Sequence, residues 1–170
     1  FYIAWSMANI LFQLPLAISF SLFAEGSSDE RTLSHNVRRS LIFVFPAIAP
    51  MILLFAFFGK TLLGYFEPGY AENGAGLLRI LAISAVPLSL NCIYFVVERV
   101  RMRMARVIAI SAFLAVATLG LSWVLLPRMG LAGAGIAWIS SQSVAALAVV
   151  IMFLLRRPRA QKQEQQELMP

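Results

Sequence analysis

The residues of this chain whose types and spacing could support chemistry are uncharged amides inside long apolar stretches. Asn9 and Gln13 lie four residues apart, so both fall on one face of a helix. Pro15 follows Gln13 closely, and Pro87 lies one helical turn before Asn91. Transporters line mid-membrane cavities with polar groups beside such helix breaks, but amides also hold bundles together through interhelical hydrogen bonds. Both interpretations stay open, and Asn9, Gln13 and Asn91 are candidates for the lining of a substrate cavity.

Two basic residues lie inside apolar stretches, close to the ends that a shared connector joins. Lys60 precedes this connector and Arg79 follows it, and the connector itself contains no Lys or Arg. One interpretation is that both side chains extend to the membrane surface, as long cationic side chains near helix ends do. The other is that they meet an anionic substrate at the mouth of a cavity. Lys60 and Arg79 therefore complete the set of candidate site residues.

Residues typical of a catalytic or metal centre are scarce in the sequence. His35 is the only histidine and Cys92 the only cysteine, so neither has a second ligand of its kind to complete a metal site. The sequence has no Gly-x-Ser-x-Gly elbow and no phosphate-binding Gly-rich loop with its lysine. No acidic residue falls in the middle of an apolar stretch, and Glu98 lies at the edge of one. We expect no enzyme activity, no cofactor and no metal.

The composition predicts an all-α integral membrane protein. The 170 residues are 60% hydrophobic and 13% charged, with a mean hydropathy of +0.80, whereas soluble domains are nearer half apolar and a quarter charged. The apolar run at 51–58 does not alternate with polar residues, as a membrane β-barrel strand would. Five stretches are long enough for transmembrane helices, at about 1–24, 40–65, 77–97, 107–126 and 131–155. They form one helical bundle over 1–155, and residues 156–170 are expected to be a disordered cytoplasmic tail.

The distribution of positive charge along the chain indicates its topology in the membrane. The net charge is +6 and the isoelectric point is near 10.3, but the basic residues sit between apolar stretches and not on a polar face that would bind nucleic acid. The successive connectors and the tail hold 3, 0, 4, 1 and 4 Lys or Arg residues. Because cytoplasmic connectors carry the excess of positive charge, this alternation predicts a cytoplasmic C-terminus and an N-terminal end on the outer side. Nucleic acid is not an expected partner.

The fifth apolar stretch combines small and polar residues. Gly130 and Ala134, and likewise Gly133 and Ala137, are spaced four apart, which lets a neighbouring helix approach closely. We expect these positions to serve packing. The polar residues follow as Ser140-Ser141-Gln142-Ser143.

Three parts of the sequence resemble the polysaccharide-transport branch of the multidrug/oligosaccharidyl-lipid/polysaccharide exporter superfamily. Phe1-Tyr2-Ile3-Ala4, continuing through Leu14-Pro15-Leu16-Ala17-Ile18-Ser19 to Leu22-Phe23, is similar to that branch's eighth helix. The second part resembles its pattern across helices nine and ten and comprises Phe58-Gly59-Lys60, Tyr70-Ala71, Ala75-Gly76-Leu77-Leu78-Arg79-Ile80-Leu81 and Val86-Pro87. The third is similar to its turn before helix twelve and reads Leu126-Pro127-Arg128-Met129-Gly130-Leu131-Ala132-Gly133-Ala134-Gly135-Ile136-Ala137.

The resemblance implies a MATE-like transporter of two pseudo-symmetric helical bundles in the bacterial cytoplasmic membrane. This chain would supply helices eight to twelve, most of the second bundle, and Phe1 already lies in an apolar run. We therefore expect a C-terminal fragment that does not transport without the N-terminal bundle. Members of the branch export polyprenyl-diphosphate-linked oligosaccharides, the precursors of surface glycans such as O-antigen, by alternating access. Arg79 matches a recurring arginine before the family's tenth helix. Membrane lipid, the lipid-linked oligosaccharide and the missing bundle are the implied partners.

Other functions remain open beside the implied flippase. A multidrug or cation antiporter of the same superfamily usually needs a mid-membrane carboxylate, which would have to lie outside this chain. A non-transporting scaffold or assembly subunit would form a closed bundle without a polar cleft. An intramembrane glycosyl- or acyltransferase would need a His/Asp pair at a membrane edge, which the sequence lacks.

Overall fold

Five α-helices make up the part of the chain that a computed structural model describes. The backbone is described for residues 2–28, 33–65 and 68–167, and the side chains for residues 2–21, 24, 36–65 and 74–152. The helices are α1 (Tyr2–Ser28), α2 (Leu33–Gly64), α3 (Pro68–Val100), α4 (Met104–Met129) and α5 (Leu131–Glu167).

Each helix contains a segment long and apolar enough to cross a membrane. These segments are Tyr2–Ser21, Asn36–Gly64, Gly74–Val100, Met104–Met129 and Leu131–Met152. The prediction of an all-α chain with five potential membrane spans is confirmed, in number and in order, and the five spans indicate a multi-pass membrane protein. The MATE-like pairing of two bundles stays a prediction.

The helices extend beyond the predicted spans because polar residues at their ends continue the helical backbone. Pro68 begins α3, where its missing N–H leaves no helical hydrogen bond unmade. Asn73-Gly74 is a dipeptide typical of turns, but both residues lie within α3. A Cβ at residue 74 would lie 3.2 Å from Leu63 Cδ1 and 4.0 Å from Ala4 Cβ. The glycine therefore allows α1, α2 and α3 to approach closely, a tertiary role that its sequence context does not reveal.

At the C-terminal end, α5 continues as a helix to Glu167. The predicted end of the helical bundle at residue 155 and the predicted disorder of residues 156–170 stay predictions.

Helix α3 is the centre of the bundle. It packs against α1, α2 and α5, whereas α4 packs mainly on α5. The core includes Leu11 of α1, Val44 of α2 and Leu81 of α3, each almost completely buried. In α4 only Val107 is buried among the described residues, and Trp123 is 85% exposed. Helix α4 therefore presents an apolar surface on nearly all sides, as a helix facing lipid does.

The turn between α4 and α5 is a single residue. The fourth and fifth predicted spans leave residues 127–130 as their connector, but α4 continues through Pro127 to Met129, and only Gly130 leaves the helical conformation. Gly130 has φ 60° and ψ −143°, a region that residues with a Cβ rarely adopt. Of the four predicted packing positions, Gly133 is in close contact and Ala137 is fully buried, whereas a Cβ at Gly130 would meet nothing within 4 Å. A Cβ at residue 133 would lie 2.5 Å from the Leu125 carbonyl oxygen, and one at residue 135 would lie 2.7 Å from Leu77 Cδ1.

The turn between α3 and α4 is held by a buried carboxylate. Glu98 is 1% exposed, and its Oε2 lies 3.3 Å from Nη1 of Arg106, whose side chain is 43% exposed. The backbone N–H of Arg103 donates to the Glu98 carbonyl oxygen at 2.8 Å. Met102 adopts a positive φ of 54° between the two helices. The Glu98–Arg106 ion pair thus ties the end of α3 to the first turn of α4.

Candidate functional site

Arg79 and Lys60 lie together at one end of the bundle, where α2 ends and α3 begins. Arg79 Nε donates a hydrogen bond to the carbonyl oxygen of Ala56 at 2.9 Å. A helical carbonyl has a second lone pair for such a bond, and Lys60 lies one turn after Ala56 on the same helix. Both cationic side chains are exposed. The structure therefore brings two of the five candidate residues to one place, although they are 19 positions apart in sequence.

Both cations sit inside the membrane-crossing segments and not beyond them. Lys60 precedes the end of α2 at Gly64 by four residues, about 6 Å at the helical rise, and Arg79 lies within the apolar segment of α3. The depth fits a cationic side chain that reaches the membrane surface, and it equally fits a site that an anion enters from that surface. The bond to Ala56 fixes Arg79 against α2, which leaves its remaining N–H donors directed away from that bond.

No carboxylate with a described side chain lies near this pair. Within the described side chains the acidic residue is Glu98, at the opposite end of α3. Glu67 and Glu72 belong to the connector beyond the pair, and their side chains are outside the described set. Among the described side chains, Arg79 and Lys60 thus form a local excess of positive charge in apolar surroundings, where an anion is attracted more strongly than in water.

Asn91 lies in the interface between α3 and α5. Its Nδ2 donates to Gln142 Oε1 at 2.7 Å and to the Gln142 carbonyl oxygen at 3.1 Å. Asn91 is 1% exposed and Gln142 is 4% exposed. The Asn91 Oδ1 is buried without a hydrogen-bond partner among the described residues. The structure thus shows the interhelical hydrogen bond that was one of the two interpretations of Asn91. A place in a substrate cavity stays a prediction for this residue.

The Asn91–Gln142 pair should stabilise the contact of α3 with α5. A double-mutant cycle of Asn91→Ala and Gln142→Ala should give a coupling free energy of ~0.6–1.7 kcal/mol, the range for hydrogen bonds between membrane helices. The measurement is reversible unfolding in mixed detergent–SDS micelles. Asn9→Ala is the matched control, since the Asn9 amide bonds within its own helix and should show no coupling to Gln142→Ala. A coupling near zero for Asn91 and Gln142 would contradict the pair's role in packing.

Asn9 and Gln13 share α1 but have different surroundings. Asn9 is half-buried and its Nδ2 donates to the Trp5 carbonyl oxygen of its own helix at 2.9 Å. Gln13 is exposed. Within the described residues, no hydrogen bond joins either amide to Arg79, Lys60 or Asn91. The five candidates therefore divide into a cationic pair, an interhelical amide and two α1 amides, and they do not form one cluster.

A groove between α1 and α3 is a feature that the sequence did not reveal. It has a volume of about 280 Å³ and lies near the end of the bundle where α3 turns into α4. Its lining comes from two helices and consists of Leu16, Ser19, Phe20, Cys92, Phe95, Val96 and Arg99. The spacing of these residues follows one face of each helix, but helical periodicity alone does not show whether two faces meet tightly or leave a gap. Only the packing of α1 on α3 shows the gap.

Among the described side chains, no three His, Cys, Asp or Glu residues come together as metal ligands. None of the protein-family models, curated proteins or solved structures compared with the chain matches it.

Proposed function

We propose that this chain is part of a flippase that exports polyprenyl-diphosphate-linked oligosaccharides, the precursors of surface glycans, across the bacterial cytoplasmic membrane by alternating access. The observation that supports the proposal is the cationic pair of Arg79 and Lys60 inside the apolar segments of α2 and α3. A membrane helix rarely carries such charges without a partner or a function. In this proposal the partner is the anionic diphosphate, or acidic sugars, of the transported molecule.

The surroundings of the pair suit a substrate that is both anionic and apolar. The Arg79 guanidinium can present two parallel N–H donors to a phosphate, and the Lys60 ammonium adds a mobile point charge. Phe57 lies nearly one helical turn before Lys60 on the same face of α2 and is 74% exposed. This apolar surface next to the cations would lie along the polyprenyl chain while the diphosphate contacts Arg79 and Lys60.

The predicted orientation gives the pair a place in the transport cycle. The connector between α2 and α3 contains no Lys or Arg, so the positive-inside rule puts this end on the outer side. There the pair would hold the diphosphate after the oligosaccharide has crossed and before the lipid leaves. Gln13 on α1 would face the N-terminal bundle that closes the cavity in this proposal.

The decisive experiment measures surface-glycan export by the full-length protein in cells that lack their own flippase. Arg79→Ala should lower export roughly tenfold or more, because a charge-assisted hydrogen bond contributes about 1.5–3 kcal/mol. Arg79→Lys should restore part of the export, because a lysine keeps the positive charge but lacks the paired N–H donors of the guanidinium. Arg128→Ala removes the same charge and is the matched control, since Arg128 is exposed and lies in the last turn of α4 on the same predicted side of the membrane. Equal export by Arg79→Ala and Arg128→Ala, with normal membrane insertion, would remove Arg79 from the site.

A non-transporting scaffold is the second candidate, and the buried Asn91–Gln142 contact favours it. A chain whose amides are used in closed interfaces needs no polar cleft. This function predicts that Arg79→Ala and Lys60→Ala change neither export nor the amount of assembled protein, while loss of the Asn91–Gln142 hydrogen bond lowers assembly. The export assay with these variants therefore separates the two candidates.

A further inference from the structure

We propose that the groove between α1 and α3 binds one anionic phospholipid, with the phosphate on Arg99 and an acyl chain along Leu16 and Cys92. The inference does not depend on flippase activity, since it concerns the other end of the bundle from Arg79 and Lys60. The bound lipid would belong to the membrane leaflet that lies at the level of the α3–α4 turn.

The shape of the groove fits part of a lipid and little else. Its volume of about 280 Å³ lies at the lower limit of pockets that enclose a whole small ligand, roughly 300–1,000 Å³. Arg99 and Cys92 mark its two ends on α3, seven residues or about 10 Å apart along the helix. Between them most of the lining is apolar and includes Phe20 of α1 and Phe95 of α3. A groove of this length accommodates the glycerol region and the first part of one acyl chain.

The charge around the groove selects an anionic headgroup. Arg99 is exposed and lies one residue before the end of α3. Four arginines lie between residues 99 and 106, against one acidic residue at 98. Arg106 pairs with Glu98 at 3.3 Å, whereas Arg101 and Arg103 are exposed. The positive-inside rule assigns this end to the cytoplasmic leaflet, where anionic lipids concentrate.

The same features disfavour a protein occupant. A helix or a second copy that laid an apolar face over the groove would bury the Arg99 guanidinium without a counter-ion, which is costly. A phospholipid fills the apolar part and neutralises the cation at once. The groove is therefore assigned to a phospholipid.

The test is the retention of lipid by the purified full chain, measured by native mass spectrometry after exchange into detergent with phosphatidylglycerol or phosphatidylcholine. The unchanged protein should retain one phosphatidylglycerol in preference to phosphatidylcholine. Arg99→Gln should lower phosphatidylglycerol affinity about fivefold, the usual effect of one basic residue at an anionic membrane surface. Arg101→Gln is the matched control, since it removes the same charge from the same end but lies outside the groove lining.

A second variant keeps the proposal testable if Arg99→Gln folds poorly. Leu16→Trp keeps the arginine and fills the groove with a larger side chain, so it should displace the bound lipid without a change of charge. Equal retention of the two lipids would overturn the proposal, as would equal losses in Arg99→Gln and Arg101→Gln. A dimer that Leu16→Trp dissociates, with no lipid retained by the unchanged protein, would assign the groove to a second copy and also overturn it.

Discussion

Gly133→Ala is expected to destabilise the protein by ~1–3 kcal/mol, the usual cost of forcing extra atoms into a packed interior. The added Cβ would lie 2.5 Å from the Leu125 carbonyl oxygen and 2.7 Å from the Leu125 carbonyl carbon. Both atoms belong to the α4 backbone, which is unable to rotate aside as a side chain does. Relief of the clash requires α4 and α5 to separate, and α5 is the main contact of α4 in the bundle.

Two other glycines of the chain provide the controls for this prediction. A Cβ at Gly120 meets nothing within 4 Å, so Gly120→Ala should be neutral or stabilise α4 by up to ~1 kcal/mol through helix propensity. A Cβ at Gly135 would lie 2.7 Å from Leu77 Cδ1, the end of a flexible side chain. The stability of Gly135→Ala should therefore lie between those of Gly133→Ala and Gly120→Ala. Unfolding followed by circular dichroism in mixed micelles gives the order. A Gly133→Ala variant as stable as Gly120→Ala would show that the α4–α5 contact is looser than described.

Arg106→Ala should destabilise the protein by ~1–3 kcal/mol, because it removes a charge-assisted hydrogen bond to the buried Glu98 carboxylate. Glu98 is 1% exposed, so water replaces the lost guanidinium only in part. The Arg106 side chain is 43% exposed, which keeps the expected cost below that of a fully buried ion pair. The change should loosen the start of α4 in particular, and faster amide hydrogen exchange there is a second measurement.

Arg103→Ala is the control for Arg106→Ala. Arg103 is exposed and its side chain makes no helix-capping hydrogen bond, so its loss should change stability by less than about 0.5 kcal/mol. In a protein that also carries Glu98→Gln, which removes the buried charge, Arg106→Ala should lower the free energy of unfolding by less than it does alone. If Arg106→Ala costs the same in both backgrounds, the ion pair contributes nothing to the turn.

The number, order and type of the helices could be predicted from sequence because they depend on length and hydropathy alone. The ends of the helices could not be predicted in the same way, because packing in the fold overrides the local preference of the residues there. Asn73-Gly74 has the composition of a turn, yet the glycine serves the contact with Leu63 and Ala4. Likewise the apolar periodicity of α4 does not indicate that α4 is the outermost helix, since membrane helices are apolar on every side.

The contacts within the candidate site could be predicted only where the order of the helices and their connectors determines them. The charge pattern placed Arg79 and Lys60 on either side of one connector, and the antiparallel packing of α2 and α3 brings them together. The partner of Asn91 lies 51 positions away, and the pairing depends on how α3 and α5 rotate against each other. The groove beside Arg99 is a space between helices and corresponds to no sequence motif.

The central position of α3 also sets the order in which the bundle can be assembled during synthesis. Helices α1 and α2 leave the ribosome before α3, so their core residues that pack against α3 are without that partner until it is made. Until α3 is inserted, α1 and α2 have each other, the insertion machinery and lipid to contact. Helix α4 then enters the membrane with little to bind, and it gains its main contact when α5 follows. The first and last pairs of helices are thus hairpins that α3 joins, and a ribosome pause after α3 would separate two stages of biogenesis.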